Sequence, residues 1–192
     1  MAMKVTVEPT AYPITLEDLK TYLRVDGNDE DAQIESILAA AVKWSEKACR
    51  RQWMQATYAL SLDHFPCGRV IRPIVSPLSS VTSIAYVDAD GNNQTLDSAQ
   101  YRVDTVSEPG RIELDTAYTW PTTDDRLNAV TITIVAGYAS AAAVPAEAKH
   151  LVKFVAAHWY EHRGPIDIDR DAKEMPLAVQ SLKALLTVPE FH

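Results

Sequence analysis

The sequence predicts an α+β protein, a helical bundle of about four helices with an antiparallel β region inserted between the second and the third. Apolar residues recur at helical spacing over residues 15–51 and again over 145–188. Between them the period changes to the alternation of strands, with prolines and Gly/Asn turns as punctuation. We therefore expect a helical domain of residues 1–55 plus 140–192 and an antiparallel β insert of residues 56–139.

The first predicted helix starts after Thr15, whose hydroxyl can cap it while Asp18 completes a variant of the capping box. Its apolar stripe consists of Leu16, Leu19, Tyr22 and Leu23. The turn residues 26–28 are expected to end this helix, because glycine and asparagine adopt the turn conformations that helices exclude.

The second predicted helix begins near Asp29 and is long enough to need a packing partner. Its apolar and small stripe consists of Ile34, Ile37, Leu38, Ala41, Ser45 and Ala48. Charges of opposite sign mark its two ends, where the helix dipole favours them: Asp29, Glu30 and Asp31 at the start, and Lys47, Arg50 and Arg51 at the end.

Strand alternation is clearest in "AVTITIVAGY", where Val130, Ile132 and Ile134 point one way and the threonines between them the other. Further candidates are "YALSLDHF", "RVIRPIV", "VTSIAYVD", "YRVDTV" and "GRIEL", and "DADGNN" is a turn between strands.

The helical period returns at Pro145, a good first residue for a helix that the Gly164-Pro165 pair would stop. We expect this third helix to pack on the second through Ile34, Leu38, Ala41, Leu151 and Val155. A last short helix would close the chain, with Val179, Leu182, Leu185 and Leu186 apolar.

Composition restricts the class of function. With 18 basic and 26 acidic residues the formal charge is −8, which disfavours gripping nucleic acid through its phosphates. The two cysteines, Cys49 and Cys67, lack the spacing of a metal or redox pair and indicate unpaired thiols in a reducing compartment. No secretion signal or membrane-spanning run is evident, so we expect a soluble protein.

The string "HWYEH" raises the question of a zinc site, since His158 and His162 lie one helical turn apart with Glu161 beside them. A zinc hydrolase would also need a third protein ligand, and Glu174 and Glu190 are the glutamates available after the helix. Neither lies in a context that preorganises a ligand. We predict that the two histidines are structural and that the chain has no catalytic, cofactor or metal site.

Arg50 and Arg51 stand near Trp53, a combination typical of interface hot spots. The same residues also fit an ordinary helix end whose cations extend along apolar surface. The sequence leaves both interpretations open.

The order of these blocks resembles the longer members of the tailed-phage head-tail connector (adaptor) family. The stretch "ITLEDLKTYLRVDGNDEDAQIESILAAAVKWSEKACRRQW" is similar to the N-terminal signature of that family. "YVDADGNNQTL", "PGRIEL", "VTITIVAGY", "VPAEAKHLVKFVAAHWYEHRG" and "MPLAVQSLKALL" resemble its later blocks. The family pattern consists of apolar and small residues and carries no catalytic motif, so the resemblance implies a structural, non-enzymatic protein.

The resemblance further implies a homo-oligomeric ring, twelve-fold in the family, in the virion neck at the capsid vertex. Its partners would be the portal protein and the next neck or tail-terminator protein, with DNA passing through the lumen without specific binding and without any membrane contact. The protein would be made in the host bacterial cytoplasm. The charged ends of the second helix are the candidate subunit interface: Asp29, Glu30, Asp31, Lys47, Arg50 and Arg51. A zinc hydrolase and a monomeric β-sandwich binding module remain the alternatives.

Overall fold

The computed structural model describes residues 2–162 and 177–188. The strands are β1 (Ala2–Val7), β2 (Ala56–Leu62), β3 (Val70–Ile71), β4 (Leu78–Val87), β5 (Asn93–Thr95), β6 (Tyr101–Asp104), β7 (Arg111–Leu114) and β8 (Val130–Ala136). The helices are α1 (Leu16–Leu23), α2 (Asp31–Cys49), α3 (Ala146–Glu161) and α4 (Leu177–Leu186). The predicted α+β class is confirmed. Among the described helices, none is long and apolar enough to cross a membrane.

The chain divides into two compact units, each made of two separate stretches of sequence. The sheet unit comprises Met1–Thr10 and Gln55–Tyr138, and the helical unit comprises Ala11–Met54 and Ala139–His192. The chain therefore passes from one unit to the other three times. We propose that each unit is a domain with its own core.

The sheet unit contains a five-stranded sheet of order β1-β2-β8-β4-β5 and a three-stranded sheet of order β3-β7-β6. β8 is the central strand of the larger sheet, pairing antiparallel with β2 (Leu60 opposite Ile132) and with β4 (Ile84 opposite Ile132). The alternation predicted for β8 is confirmed, because Val130, Ile132 and Ile134 are buried while the threonines between them are half-exposed. The apolar face of the sheet thus forms the core of this unit together with Ile112 and Leu114 of β7.

Residues 2–7 belong to the sheet unit, whereas the predicted boundary assigned residues 1–55 to the helical domain. They form β1, which pairs antiparallel with β2. Met3 and Val5 pack against the core of the sheet unit, whereas Lys4 between them is exposed. This alternation explains the strand, since only one face of it can be buried.

The first helix has the cap that the sequence predicts. The Thr15 hydroxyl accepts a hydrogen bond from the Asp18 amide at 3.0 Å, and the Asp18 carboxylate accepts one from the Thr15 amide at 3.1 Å. These bonds lower the pKa of Asp18 below its usual value, the backbone bond most. The helix ends earlier than predicted, at Arg24, which adopts the left-handed conformation and terminates the intrahelical bonding.

The packing of α2 against α3 follows the predicted apolar stripe. Ile34, Leu38 and Ala41 of α2 and Leu151 and Val155 of α3 are each at most 1% exposed, and the two helices are in contact. These side chains form the centre of the helical unit.

The stripe predicted for α4 is partly wrong. Val179 and Leu186 are buried, but Leu185 is 71% exposed and Leu182 is only half-buried. A ten-residue helix carries too few apolar positions for the sequence to define which of them turn inward, and within the described part of the chain α4 contacts α3 and α2.

A Gly110→Ala substitution is expected to destabilise the sheet unit by about 1–3 kcal/mol, the usual cost of overpacking a core. A Cβ atom on Gly110 would lie 2.5 Å from Cβ of Leu78 and 2.8 Å from its Cδ2, so the Leu78 side chain would have to move. Thermal unfolding followed by circular dichroism measures the loss. Gly68→Ala is the matched control, because no atom lies within 4 Å of the added methyl group. Equal melting temperatures for the two variants would contradict the predicted close packing at Gly110.

Candidate subunit interface

The acidic start of α2 is largely engaged within the protomer. The Asp31 carboxylate lies 2.7 Å from Nζ of Lys20, whose side chain is only 6% exposed. The same Nζ donates to the Asn28 side-chain oxygen at 2.9 Å. The hydrogen bond to the Asp31 carboxylate raises the pKa of Lys20, so the Lys20 ammonium stays charged at neutral pH. Asp31 therefore fixes the turn between α1 and α2.

Glu30 stands at the N-cap position of α2, and its side chain points to α3. Its Oε2 accepts a hydrogen bond of 2.7 Å from the hydroxyl of Tyr160. Asp29, in contrast, is exposed. Of the three acidic residues predicted for a subunit contact, Asp29 alone projects into solvent.

At the basic end of α2, too, some side chains bond within the protomer and others are exposed. Nε of Arg51 donates to the Leu186 carbonyl oxygen at 2.6 Å, and the Val188 amide donates to the Cys49 carbonyl oxygen at 3.1 Å. These two bonds join the end of α4 to the end of α2. Lys47 is exposed and Arg50, the left-handed C-cap residue, is half-buried. Arg51 thus stabilises the protomer, while the exposed Lys47 is the better candidate for contact with a neighbour.

Trp53 is fully buried, so the hypothesis that it is an exposed interface anchor is wrong. Its Nε1 donates to the Ser45 hydroxyl at 2.8 Å. Its backbone amide donates to Oε1 of the buried Glu46 at 3.1 Å, and Nε2 of Gln52 donates to the same oxygen at 2.7 Å. This network fixes the chain as it leaves α2, and a sequence pattern gives no sign of it.

The two histidines of "HWYEH" lie at the end of α3. Their ring centres are 4.5 Å apart, and Nδ1 of His162 lies 2.8 Å from the backbone oxygen of His158. Glu161 is exposed. No cluster of three or more His, Cys, Asp or Glu side chains with metal-binding geometry occurs within residues 2–162 and 177–188. Glu174 and Glu190 lie outside the described residues.

A groove between α2 and α4 is a feature that the sequence analysis missed. It is lined by Trp44, Val179, Gln180, Lys183 and Ala184 and has a volume of about 410 Å³. The Trp44 ring stands edge-on to Trp159 of α3, with ring centres 6.4 Å apart, and this contact fixes its orientation. The only sign of this groove in the sequence was Trp44, a large apolar residue outside the predicted apolar stripe of α2.

The fold of the chain is similar to that of chains from gene transfer agent (GTA) particles. It matches a chain of the structure described as "Neck of empty GTA particle computed with C6 symmetry" with a TM-score of 0.82 and 23% identity, over 100% of this chain and 98% of the other. Matches of the same coverage occur to chains of "Virion of native gene transfer agent (GTA) particle" (TM-score 0.80, 24% identity) and "Neck of native GTA particle computed with C12 symmetry" (TM-score 0.79, 21% identity).

The sequence gives a more specific match in its N-terminal part. Residues 13–69 match the family model of the Phage gp6-like head-tail connector protein. This confirms the resemblance to the head-tail connector family over α1, α2 and β2. A search of curated proteins finds no match to the chain.

Proposed function

We propose that this protein is a structural head-tail connector (adaptor), a ring-forming component of the neck of a phage-like particle. The observation that carries the proposal is the fold match over the entire chain, both units included, to chains from particle necks. The connector-family match of residues 13–69 supports it independently. In this role the ring lies between the portal protein and the next neck or tail-terminator protein and extends the DNA channel.

Two further observations fit a ring around a DNA channel. The matched neck structures were computed with C6 and with C12 symmetry, which supports a ring, and we propose twelve copies. The formal charge of −8 suits a conduit, because an acidic lumen would repel DNA and leave it mobile during passage. The protein then has no catalytic task.

Negative-stain electron microscopy of the purified protein, alone and mixed with its portal, tests the proposal. We expect closed rings in at least one of the two samples, and a mass by light scattering that corresponds to the counted subunits. A protein that remains monomeric under both conditions would rule out the connector function. One bound zinc per chain with a hydrolytic activity lost in Glu161→Ala would establish the hydrolase alternative in its place.

A charge contact between neighbours is the first candidate for closing the ring. Head-to-tail closure needs two different complementary patches on each subunit, and the ends of α2 carry opposite charges. Since Glu30, Asp31 and Arg51 have contacts within the protomer, we assign the contact to the exposed side chains of Asp29 on one subunit and Lys47 on the next.

A Lys47→Glu variant is therefore expected to prevent rings while the monomer stays folded, because it places like charges in contact. Adding Asp29→Lys should restore rings. Counting rings by electron microscopy and recording a circular dichroism melt for each variant gives the answer. Lys4→Glu is the control, an exposed reversal on β1 that should leave rings intact. Unchanged rings in Lys47→Glu would show that another surface forms the contact.

A further inference from the structure

The β6–β7 hairpin is held in one conformation by a single carboxylate. Asp104, the last residue of β6, accepts hydrogen bonds from the amides of Val106 and Ser107 at 2.9 and 3.1 Å. It also accepts one from the Ser107 hydroxyl at 2.7 Å and two from the Arg111 guanidinium at 2.9 and 2.6 Å. The Ser107 hydroxyl and then Arg111 hold the pKa of Asp104 well below its usual range, so the carboxylate is ionised at neutral pH.

The fixed loop, residues 105–110, presents an apolar side chain to solvent. Val106 is 91% exposed, the largest exposed fraction among the large apolar side chains of the described residues. A single exposed valine on a flexible loop would need no explanation. Here five hydrogen bonds already keep the loop in place. Docking Val106 therefore costs little further conformational entropy, which is the condition for an efficient anchor.

The groove between α2 and α4 has the shape and chemistry to take such an anchor. Its volume of about 410 Å³ lies within the range of roughly 300–1,000 Å³ typical of small binding pockets. Trp44 and Val179 give it an apolar lining, and among the described lining residues Lys183 contributes a positive charge. Tryptophan is the residue type most enriched at interface hot spots.

We propose that the hairpin tip of one subunit, with Val106 at its end, inserts into the Trp44 groove of the neighbouring subunit in the ring. The occupant is thus a second copy of this chain. The inference rests on the proposed ring function and names a contact that closes it.

Charge complementarity supports this choice of occupant. Glu108 places a negative charge two residues from Val106, and Lys183 places a positive charge in the groove. Lys47 lies three residues from Trp44 and hence on the same side of α2, so the groove adjoins the basic end of α2 proposed above to meet Asp29. Hairpin and groove are different surfaces, as head-to-tail closure requires.

Single variants of the full-length protein test the contact. Val106→Asp puts a carboxylate into the apolar groove, and Ala184→Trp fills the groove from an exposed position on α4. We expect either change to raise the protein concentration for half-assembly at least tenfold, an amount typical for loss of one hot spot. Val106→Ile should assemble like the parent. Leu127→Asp, at a side chain 79% exposed on another loop of the sheet unit, is the matched control and should also assemble.

Mixing the two defective variants tests whether the hairpin of one subunit contacts the groove of another. A Val106→Asp subunit keeps an intact groove, and an Ala184→Trp subunit keeps an intact hairpin, so the pair can form one good contact but cannot continue it around a ring. At one protein concentration, native mass spectrometry should show more 1:1 heterodimers in the mixture than homodimers of either variant alone.

The outcomes separate this contact from the ring function itself. Rings of the parent that persist in Val106→Asp would overturn the hairpin contact and leave the connector function standing. Open chains of the parent that Val106→Asp abolishes would support the contact and refute the closed ring. A parent that shows no self-association, alone or with portal, would overturn both.

Discussion

Leu38→Asp is expected to unfold the helical unit while the sheet unit keeps its structure. Leu38 is 1% exposed between α2 and α3, with Ile34, Ala41, Leu151 and Val155 also buried there. An aspartate at this position would be a buried charge, and none of those four apolar side chains could pair with it, at a cost of at least about 3 kcal/mol. Denaturant unfolding followed by far-ultraviolet circular dichroism measures this loss.

Tryptophan fluorescence can assign the loss to one unit. Trp44, Trp53 and Trp159 belong to the helical unit, and Trp120 belongs to the sheet unit. Ala40→Asp on the same helix is the control, because Ala40 is exposed and the substitution costs only helix propensity, roughly 0.7 kcal/mol. If Leu38→Asp were as stable as Ala40→Asp, the packing of α2 on α3 would be wrong.

Trp53→Ala should produce a loss of similar size, about 3–5 kcal/mol, in the range found for large aromatic residues removed from cores. Trp53 is fully buried, and both its backbone amide and its indole donate hydrogen bonds to buried groups of α2. Trp53→Phe keeps most of the apolar area but removes the indole donor to Ser45. We expect the missing hydrogen bond to lower the free energy of unfolding by about 1–2 kcal/mol, in addition to the cost of the smaller ring.

A double-mutant cycle with Ser45→Ala isolates the indole–hydroxyl bond from the packing of the ring. The losses in free energy of unfolding of the two single variants, Trp53→Phe and Ser45→Ala, should sum to more than the loss in the double variant. Strict additivity would show that the 2.8 Å contact contributes nothing to stability.

The elements that the sequence predicted well depend on nearby residues. The cap of α1 needs only Thr15 and Asp18, three positions apart, and the alternation of β8 is contained in seven residues. The strand β1 was overlooked because it is short and its partner β2 lies about fifty residues away along the chain. In α4, Leu185 and Leu186 are adjacent and equally apolar, and only the position of the neighbouring helices decides that Leu186 is buried.

In the candidate interface, too, features set by nearby residues could be predicted and features set by distant residues could not. The opposite charges at the two ends of α2 could be predicted because the helix dipole favours them, but their partners could not. Arg51 bonds to Leu186, 135 positions later, and Glu30 bonds to Tyr160, 130 positions later. A pattern of charge identifies which residues are able to form ion pairs, whereas the fold determines which of them are left for a neighbouring subunit.

The three passages of the chain between the two units have a consequence for synthesis on the ribosome. β8, the strand that joins β2 to β4, ends at Ala136, after more than two thirds of the 192 residues have been made. Until it emerges, β2 and β4 have unpaired edges, and the pairing must then span a long stretch of chain, which slows folding and prolongs exposure to aggregation. The helical unit likewise lacks α4 until Leu186 has been made. A nascent chain that ends before Ala136 therefore has neither unit complete, so assembly with a second copy through either unit is disfavoured up to that point.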